Sequence, residues 1–531
     1  MKLREGYRHI GVLALVGTAV AAGPLAAQDQ QPLVIARHLE INSLDPHRAF
    51  CDTCQIYLTA AYEGLVALAA DNRTIEPLLA TSWEINEDQT EFTFHLDEAA
   101  VFSDGSPVEA KDVKWSFERL KNIQGSPSFM MSGVSAIETP DAHTVVIGME
   151  APNSEFLGVL TAPYTIIINS DVAVEAGALA GEDAVSADNA EAWFLSNSAG
   201  SGPYVLDTYR VDDELRFARN DNYWREAPPI AEIVIDETAD AVSQAQMLQS
   251  GAADIAMQID PTTAATIDSE EVVIEMVPSY NFIYVAFSPG AEANRVPLTL
   301  EVRQALALAL DYDGIIEFTV GGEGDPQASP IPNGFPGTTD LPMPVEDLEK
   351  ATQMLAEAGL ADGFELDVVV AALNVYGVDL PLLMQKVQQD LARVNVTTNI
   401  QPVASSVWRE QIVKPGIPFT ARFYAPDYFG SAQYVYFFGM IEDSYWLTNA
   451  SGGETAELIN PRESELLQQA LATSDEAERE AIYREIALEM IKDRIIVPVV
   501  SPKLVLAYRN NVEGVRYSAC CNLPLAEISL K

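Results

Sequence analysis

The residues of this chain whose types and spacing most invite chemistry are its four cysteines. Two form Cys51-Asp52-Thr53-Cys54, and two are adjacent, Cys520-Cys521. Such thiols can make disulfides, a four-thiolate metal site or a redox pair. No thioredoxin-like context surrounds the Cys-x-x-Cys motif, which makes the redox reading the weakest. The five histidines, His9, His38, His47, His95 and His143, are scattered without ligand spacing, so they nominate no metal site. There is no Gly-x-Ser-x-Gly elbow and no His-Glu-x-x-His helix, and no Gly precedes any Lys, so a phosphate-cradling loop is absent as well. Nothing stands out as nucleophile, general base or cofactor ligand. That absence does not exclude an enzyme, but it leaves no cofactor and no catalytic residue to expect.

Residues 77–119 show most clearly the kind of element that would position such groups. Phe92, Phe94 and Leu96 alternate with Thr93 and His95, the period of a half-buried strand. Asp104-Gly105 is a turn dipeptide, and Ser106-Pro107-Val108-Glu109 reads as a capping box with proline in the first helical turn. Val113, Phe117 and Leu120 then share one helical face. Further along, residues 347–359 and 475–491 read as amphipathic helices, with Gly359 suited to a C-cap. The run Ile495-Ile496-Val497-Pro498-Val499-Val500 reads as a buried strand. Pro and Gly cluster at 321–337, a structured loop that is either a surface connection or a wall of a cleft.

The N-terminus carries Lys2, Arg4 and Arg8, an apolar run from Ile10 to about Ala22, and small residues at Ala26-Ala27. This is the pattern of a secretory signal peptide spanning 1–27, too short to cross a bilayer stably. No Cys follows the expected cleavage site, so no lipid anchor is expected and the mature chain should be free in the periplasm. The formal net charge is −47, from 78 acidic and 31 basic residues. That balance argues against nucleic-acid and anionic-membrane partners. Spread along the whole chain, it suits a source in salt water, where screening relieves self-repulsion.

Residues 77–119 resemble the solute-binding proteins of the peptide/opine/nickel class (family 5) that serve ABC importers, dipeptide- and oligopeptide-binding proteins among them. The resemblance rests on Leu79-Ala80-Thr81-Ser82-Trp83, Thr93-Phe94-His95-Leu96, the run from Phe102 to Val113, and Ser116-Phe117-Glu118-Arg119. Glu109 stands where the family often has a capping Thr or Ser; Ser106 is the alternative cap one turn earlier. Later segments follow the family in order: Gly200-Ser201-Gly202-Pro203-Tyr204, Arg219 through Tyr223-Trp224, the stretch Gln244 to Asp254, and Val302-Arg303-Gln304-Ala305.

The resemblance implies an α/β, two-lobed periplasmic-binding-protein fold of class II with an inserted third domain. After the signal peptide (1–27), lobe I would comprise 28–58, 200–285 and 501–531. The inserted domain would span 59–199 and lobe II 286–500. On that layout both cysteine pairs border lobe I. Adjacent cysteines do not bridge each other readily, so two cross-links between Cys51 or Cys54 and Cys520 or Cys521 are expected, with a thiolate metal site as the alternative.

The resemblance also implies a ligand between the lobes, a small molecule or peptide, handed to an inner-membrane permease by a monomeric receptor. In peptide-class members an Asp after an aromatic strand meets the ligand's amino group. Here Phe423-Tyr424-Ala425-Pro426-Asp427-Tyr428 matches, which nominates Asp427, with a turn aspartate as the alternative reading. Tyr424, Tyr428 and Trp446 are candidates for flat cleft walls. Tyr280 and Asn281 precede a strand at the expected crossing between lobes; Asn281 either bonds a ligand backbone or caps the turn. Arg48, Arg409 and Arg422 are candidates for a ligand carboxylate. The expected solute is a short peptide or modified amino compound. The alternatives are an opine, an oligosaccharide, a metal chelate, or a chaperone or sensor role on the same fold.

Overall fold

A computed structural model describes residues 31–450, 457–519 and 521–531. The expected signal peptide lies outside the described residues. Three sheets organise the chain. A seven-stranded sheet runs in the order Tyr204–Arg210, Glu214–Arg219, Glu232–Glu237, Leu33–Arg37, Ile255–Ala256, Leu504–Arg509, Val272–Val277. A six-stranded sheet runs Gly324–Asp325, Ile496–Pro502, Phe282–Phe287, Phe419–Tyr424, Phe364–Ala371, Val396–Val403. A smaller antiparallel sheet of four strands lies between residues 80 and 149.

The chain passes between the two large sheets only twice. The first passage is at residues 278–281, between strands Val272–Val277 and Phe282–Phe287; the second is at Lys503. Ser279 Oγ donates to Pro502 O at 3.2 Å and Ser501 Oγ to Asn281 O at 3.1 Å, so the two passages are tied side by side. A lobe boundary at 285/286 would cut strand Phe282–Phe287, which belongs wholly to the six-stranded sheet.

That strand reads Phe-Ile-Tyr-Val-Ala-Phe and every residue is buried. Its period of two explains how. Ile283, Val285 and Phe287 pack into one core, with helix Leu380–Ala392, while Phe282, Tyr284 and Ala286 pack into another, with helix Glu476–Asp493. Helix caps follow local chemistry. Asp475 accepts from Glu478 N at 2.9 Å and Asp347 from Lys350 N at 2.9 Å.

The helix start in 106–110 differs from the expectation. The helix is Ala110–Asn122, with Glu109 as N-cap and Asp112 Oδ2 accepting from Glu109 N at 3.0 Å. Ser106 does not cap it: its Oγ and N both donate to Asp104 Oδ1, so it closes the turn instead. Pro107 pairs in an isolated bridge with Val101. Val113, Phe117 and Leu120 are buried on one face.

Two short motifs meet at one buried carboxylate. Glu63 Oε2 accepts from Ser201 Oγ at 2.7 Å and from Trp224 Nε1 at 2.7 Å, and Oε1 from Tyr223 OH at 3.1 Å. Ser201 is held there because its flanking glycines allow the backbone against the end of helix Asp52–Ala61. A Cβ on Gly202 would lie 2.5 Å from Ala61 C and 2.6 Å from Ala60 O. We expect Gly202→Ala to cost about 1–3 kcal/mol through overpacking against rigid backbone. Urea denaturation checks this, and an unchanged midpoint would contradict it.

Candidate functional site

Between the two large sheets lies a cavity of about 210 Å³. Its walls come from the ends of strands and the first turns of helices: Arg37 and the residues after it, the start of helix Asp52–Ala61, Tyr164, and the stretch Arg422–Asp427. Position at the carboxyl end of Leu33–Arg37, which pairs in parallel with Glu232–Glu237 and with Ile255–Ala256, is where α/β sheets ordinarily open a crevice.

Asp427 occupies this cavity and is only 3% exposed. Its Oδ2 accepts from Tyr424 OH at 3.0 Å and its Oδ1 from Gln55 Nε2 at 3.4 Å, while its main-chain N donates to Gln433 Oε1 at 2.8 Å. Among the described residues it forms no ion pair. Burial, reinforced by the nearby Asp52, outweighs the hydrogen bonds from Tyr424 and Gln55 and pushes its carboxyl up to about 7. Asp52 also lines the cavity, at the start of its helix, and accepts from Tyr376 OH at 2.8 Å. Burial raises its pKa too, against the pull of Arg37.

The arginines divide. Arg422 lines the cavity with its guanidinium 4.3 Å from the Trp408 ring centroid; Nη1 is buried without a hydrogen-bond partner, and burial lowers its pKa. Arg409 also lines the cavity but pairs with Glu40 across it at 3.3 Å. Arg48 does not reach the cavity. It pairs with Asp45 and Asp188, each at 3.4 Å, and Arg119 pairs with the same two carboxylates at 2.6 and 3.0 Å. Two fully buried acids require two cations, and that requirement draws Arg48 away.

Several other expected positions are scaffold. Trp446 is wholly buried against Tyr284 and Tyr445. Tyr428 packs into the core that contains Phe92 and Phe156 rather than the cavity. Tyr280 stands edge-on to Phe335 at 4.9 Å, and Asn281 donates to Asn522 Oδ1 at 3.3 Å, both at the passage between sheets. The proline-rich loop 321–337 buries Ile331 and Phe335 and does not line the cavity. Of the nine ligand candidates, Asp427, Tyr424, Arg422 and Arg409 face the cavity.

The expected cross-links between cysteine pairs are replaced by a bond between Cys51 and Cys54. Cys51 is the N-cap and Cys54 the third residue of the first helical turn, so their side chains share a face and meet. With both sulfurs used, neither the links to the C-terminal pair nor a four-thiolate site is available to them. Cys521 is buried, and Cys520 lies outside the described residues. No group of three or more His, Cys, Asp or Glu suited to a metal occurs among the described residues.

Sequence reasoning missed Arg37, Asp52, Gln55 and Tyr164. Asp52 and Gln55 were within reach, since Asp52 lies inside the Cys-x-x-Cys motif at a helix start and Gln55 directly follows it. Arg37 ends an ordinary apolar strand and carries no local signal.

The family model for bacterial extracellular solute-binding proteins, family 5 Middle, matches residues 74–443. The probable D,D-dipeptide-binding periplasmic protein of Escherichia coli (strain K12) is 25% identical over 499 residues, covering 92% of each chain. Di/tripeptide-binding protein 2 of Pseudomonas aeruginosa (strain UCBPP-PA14) is 26% identical over 554 residues, covering 98% of each. The solved dipeptide-binding protein of Pseudoalteromonas sp. SM9913, in complex with Met-Leu, superposes with a TM-score of 0.82 at 21% identity, over 94% of this chain and 100% of that one. Two lobes about a charged cavity and a family model matching most of the chain lead to one conclusion: the chain belongs to the family 5 bacterial extracellular solute-binding proteins, the binding components of ABC importers rather than enzymes.

Proposed function

We propose that this protein is a periplasmic receptor that captures a short peptide or modified amino compound between its lobes and delivers it to an inner-membrane permease. It acts as a monomer that turns about the paired passages at 278–281 and 503. The observation that carries this reading is Asp427, a buried carboxylate in the cavity that forms no ion pair among the described residues. A buried anion without a counter-ion is costly, and a ligand ammonium removes that cost. Relatives named for dipeptides and di- or tripeptides support the same solute class. A cavity of about 210 Å³ suits a molecule of about two residues; pockets for drug-sized ligands run to about 300–1,000 Å³.

The ammonium binds the ionised form of Asp427. Affinity for a free-amine dipeptide such as Ala-Val should therefore rise as pH climbs from about 5 to about 8, through the value near 7. N-acetyl-Ala-Val should bind at least about tenfold more weakly, the order expected for a lost charged hydrogen bond. Calorimetry with both compounds tests this; equal affinity for the two would remove Asp427 from the amine site.

The same group bears on the stability of the ligand-free protein. Its folded pKa is raised from 3.8 to about 7, so within that window the folded state holds a proton that the unfolded chain has released. Stability contributed by the neutral form is thus complete at low pH and is lost as pH rises through the window. Asp427→Asn should melt a few degrees higher than the parent at about pH 8 and alike at about pH 4. A lower melting temperature for the variant at the higher pH would contradict the unpaired-carboxylate reading.

A further inference from the structure

Arg37 is buried to 4% exposure and lines the cavity, yet it lacks what the similarly buried Arg119 and Arg303 have. Arg119 pairs with two carboxylates. Arg303 makes three hydrogen bonds to the main-chain carbonyls of Asp493 and Leu298. Arg37 has one carbonyl, that of its neighbour His38 at 3.3 Å, and the Met257 thioether at 3.8 Å. Among the described residues no carboxylate lies within ion-pair distance of it, and burial pulls its pKa down despite Asp52, Glu237 and Glu40 nearby. A guanidinium offers five donors in a planar fork, and most of this one's capacity is unused.

Arg37 also stands at a junction. A second cavity of about 40 Å³ shares Arg37, Asp52, Gln258 and Val375 with the main one. Beyond them its lining is mostly apolar, Ile255, Leu504, Leu506 and Leu523 among it, with Tyr376 and Asn522 as its polar members. Since about 10–15 Å³ seats one water-sized group, this annex holds roughly three carbon atoms. Asp52 at the same mouth is engaged by the Tyr376 hydroxyl.

We propose that Arg37 anchors a carboxylate of the solute at the mouth of the annex, and that the annex takes a small aliphatic group borne beside that carboxylate. The solute is then an amine at one end and an α-carboxylate with a small aliphatic side chain at the other, the pattern of a dipeptide ending in a valine-like residue. This deepens the reading of Asp427 as the ammonium site and rests on it. The anchor comes from the strand Leu33–Arg37 and Asp427 from beyond Phe419–Tyr424, so one small molecule would join the two large sheets through opposite charges.

Calorimetry on the mature protein with Ala-Val, Ala-Val amide, N-acetyl-Ala-Val, Ala-Phe and Ala-Asp tests the proposal. The acid should bind roughly 10–100-fold tighter than the amide, and Ala-Val tighter than Ala-Phe or Ala-Asp. Arg37→Gln should bring the acid-to-amide ratio close to one, and Arg37→Lys should restore part of it. Asp427→Asn should keep that ratio while losing the preference for a free amine. An acid-to-amide ratio unchanged in Arg37→Gln overturns this inference and leaves the amine site standing. If Arg37→Gln does not fold, the wild-type comparison decides: equal binding of acid and amide overturns it. Failure of the wild-type protein to bind any of the dipeptides would sink the ammonium reading and this inference together.

Discussion

Everything about this protein's cavity depends on how the chain joins its two large sheets. Two short passages, residues 278–281 and Lys503, carry all the covalent connection between them. They lie together, held by the bonds Ser279–Pro502 and Ser501–Asn281. Paired passages leave one axis about which two packed bodies turn, and they leave the opposite side free to part. Tyr280 and Asn281 belong to this axis: Tyr517 OH accepts from Tyr280 N, and Asn281 bonds Asn522. Asn281 is buried and Tyr280 half-buried, as the packing of a joint requires, and neither lines the cavity.

The second organising contrast is between charges the chain satisfies and charges it does not. Two scaffold groups show the first kind. Arg119 is clamped by Asp45 and Asp188, and Glu63 accepts three hydrogen bonds from two distant motifs. In the cavity, Asp427, Arg37 and Arg422 are desolvated but have no oppositely charged partner within bonding distance among the described residues. Such an arrangement is unfavourable for the protein alone and persists because two well-packed cores hold it. On the proposed reading, the missing partner is the solute.

Much of the scaffold was legible. The alternation at Phe92, Phe94 and Leu96, the helical face of Val113, Phe117 and Leu120, and the amphipathic helices beginning near 347 and 475 are short-range facts, and short-range patterns write themselves into sequence. Asp427 and Tyr424 could be reached because they sit in a recognisable run. The helix at Ala110 shows where reading stopped: Ser106 had two uses, and the nearby Asp104 took it for the turn. The cysteines show the same limit. Reading them as two distant pairs overlooked that a helix N-terminus brings the first and fourth residues of Cys51–Cys54 together.

By itself the sequence determined the elements, the order in which they follow a known family, and the acidic surface. It also placed aromatic residues in quantity between 424 and 446, but not which of them would be core. Tertiary structure decided that Trp446 and Tyr428 are packing while Tyr424 faces the cavity, and that Arg48 is consumed by Asp45 and Asp188 while Arg37 is left over. The reason is the range of the interactions. Gln55 and Asp427 meet across 372 positions of chain. Whether a buried charge is satisfied depends on which side chains arrive beside it, and no local pattern of residues carries that information.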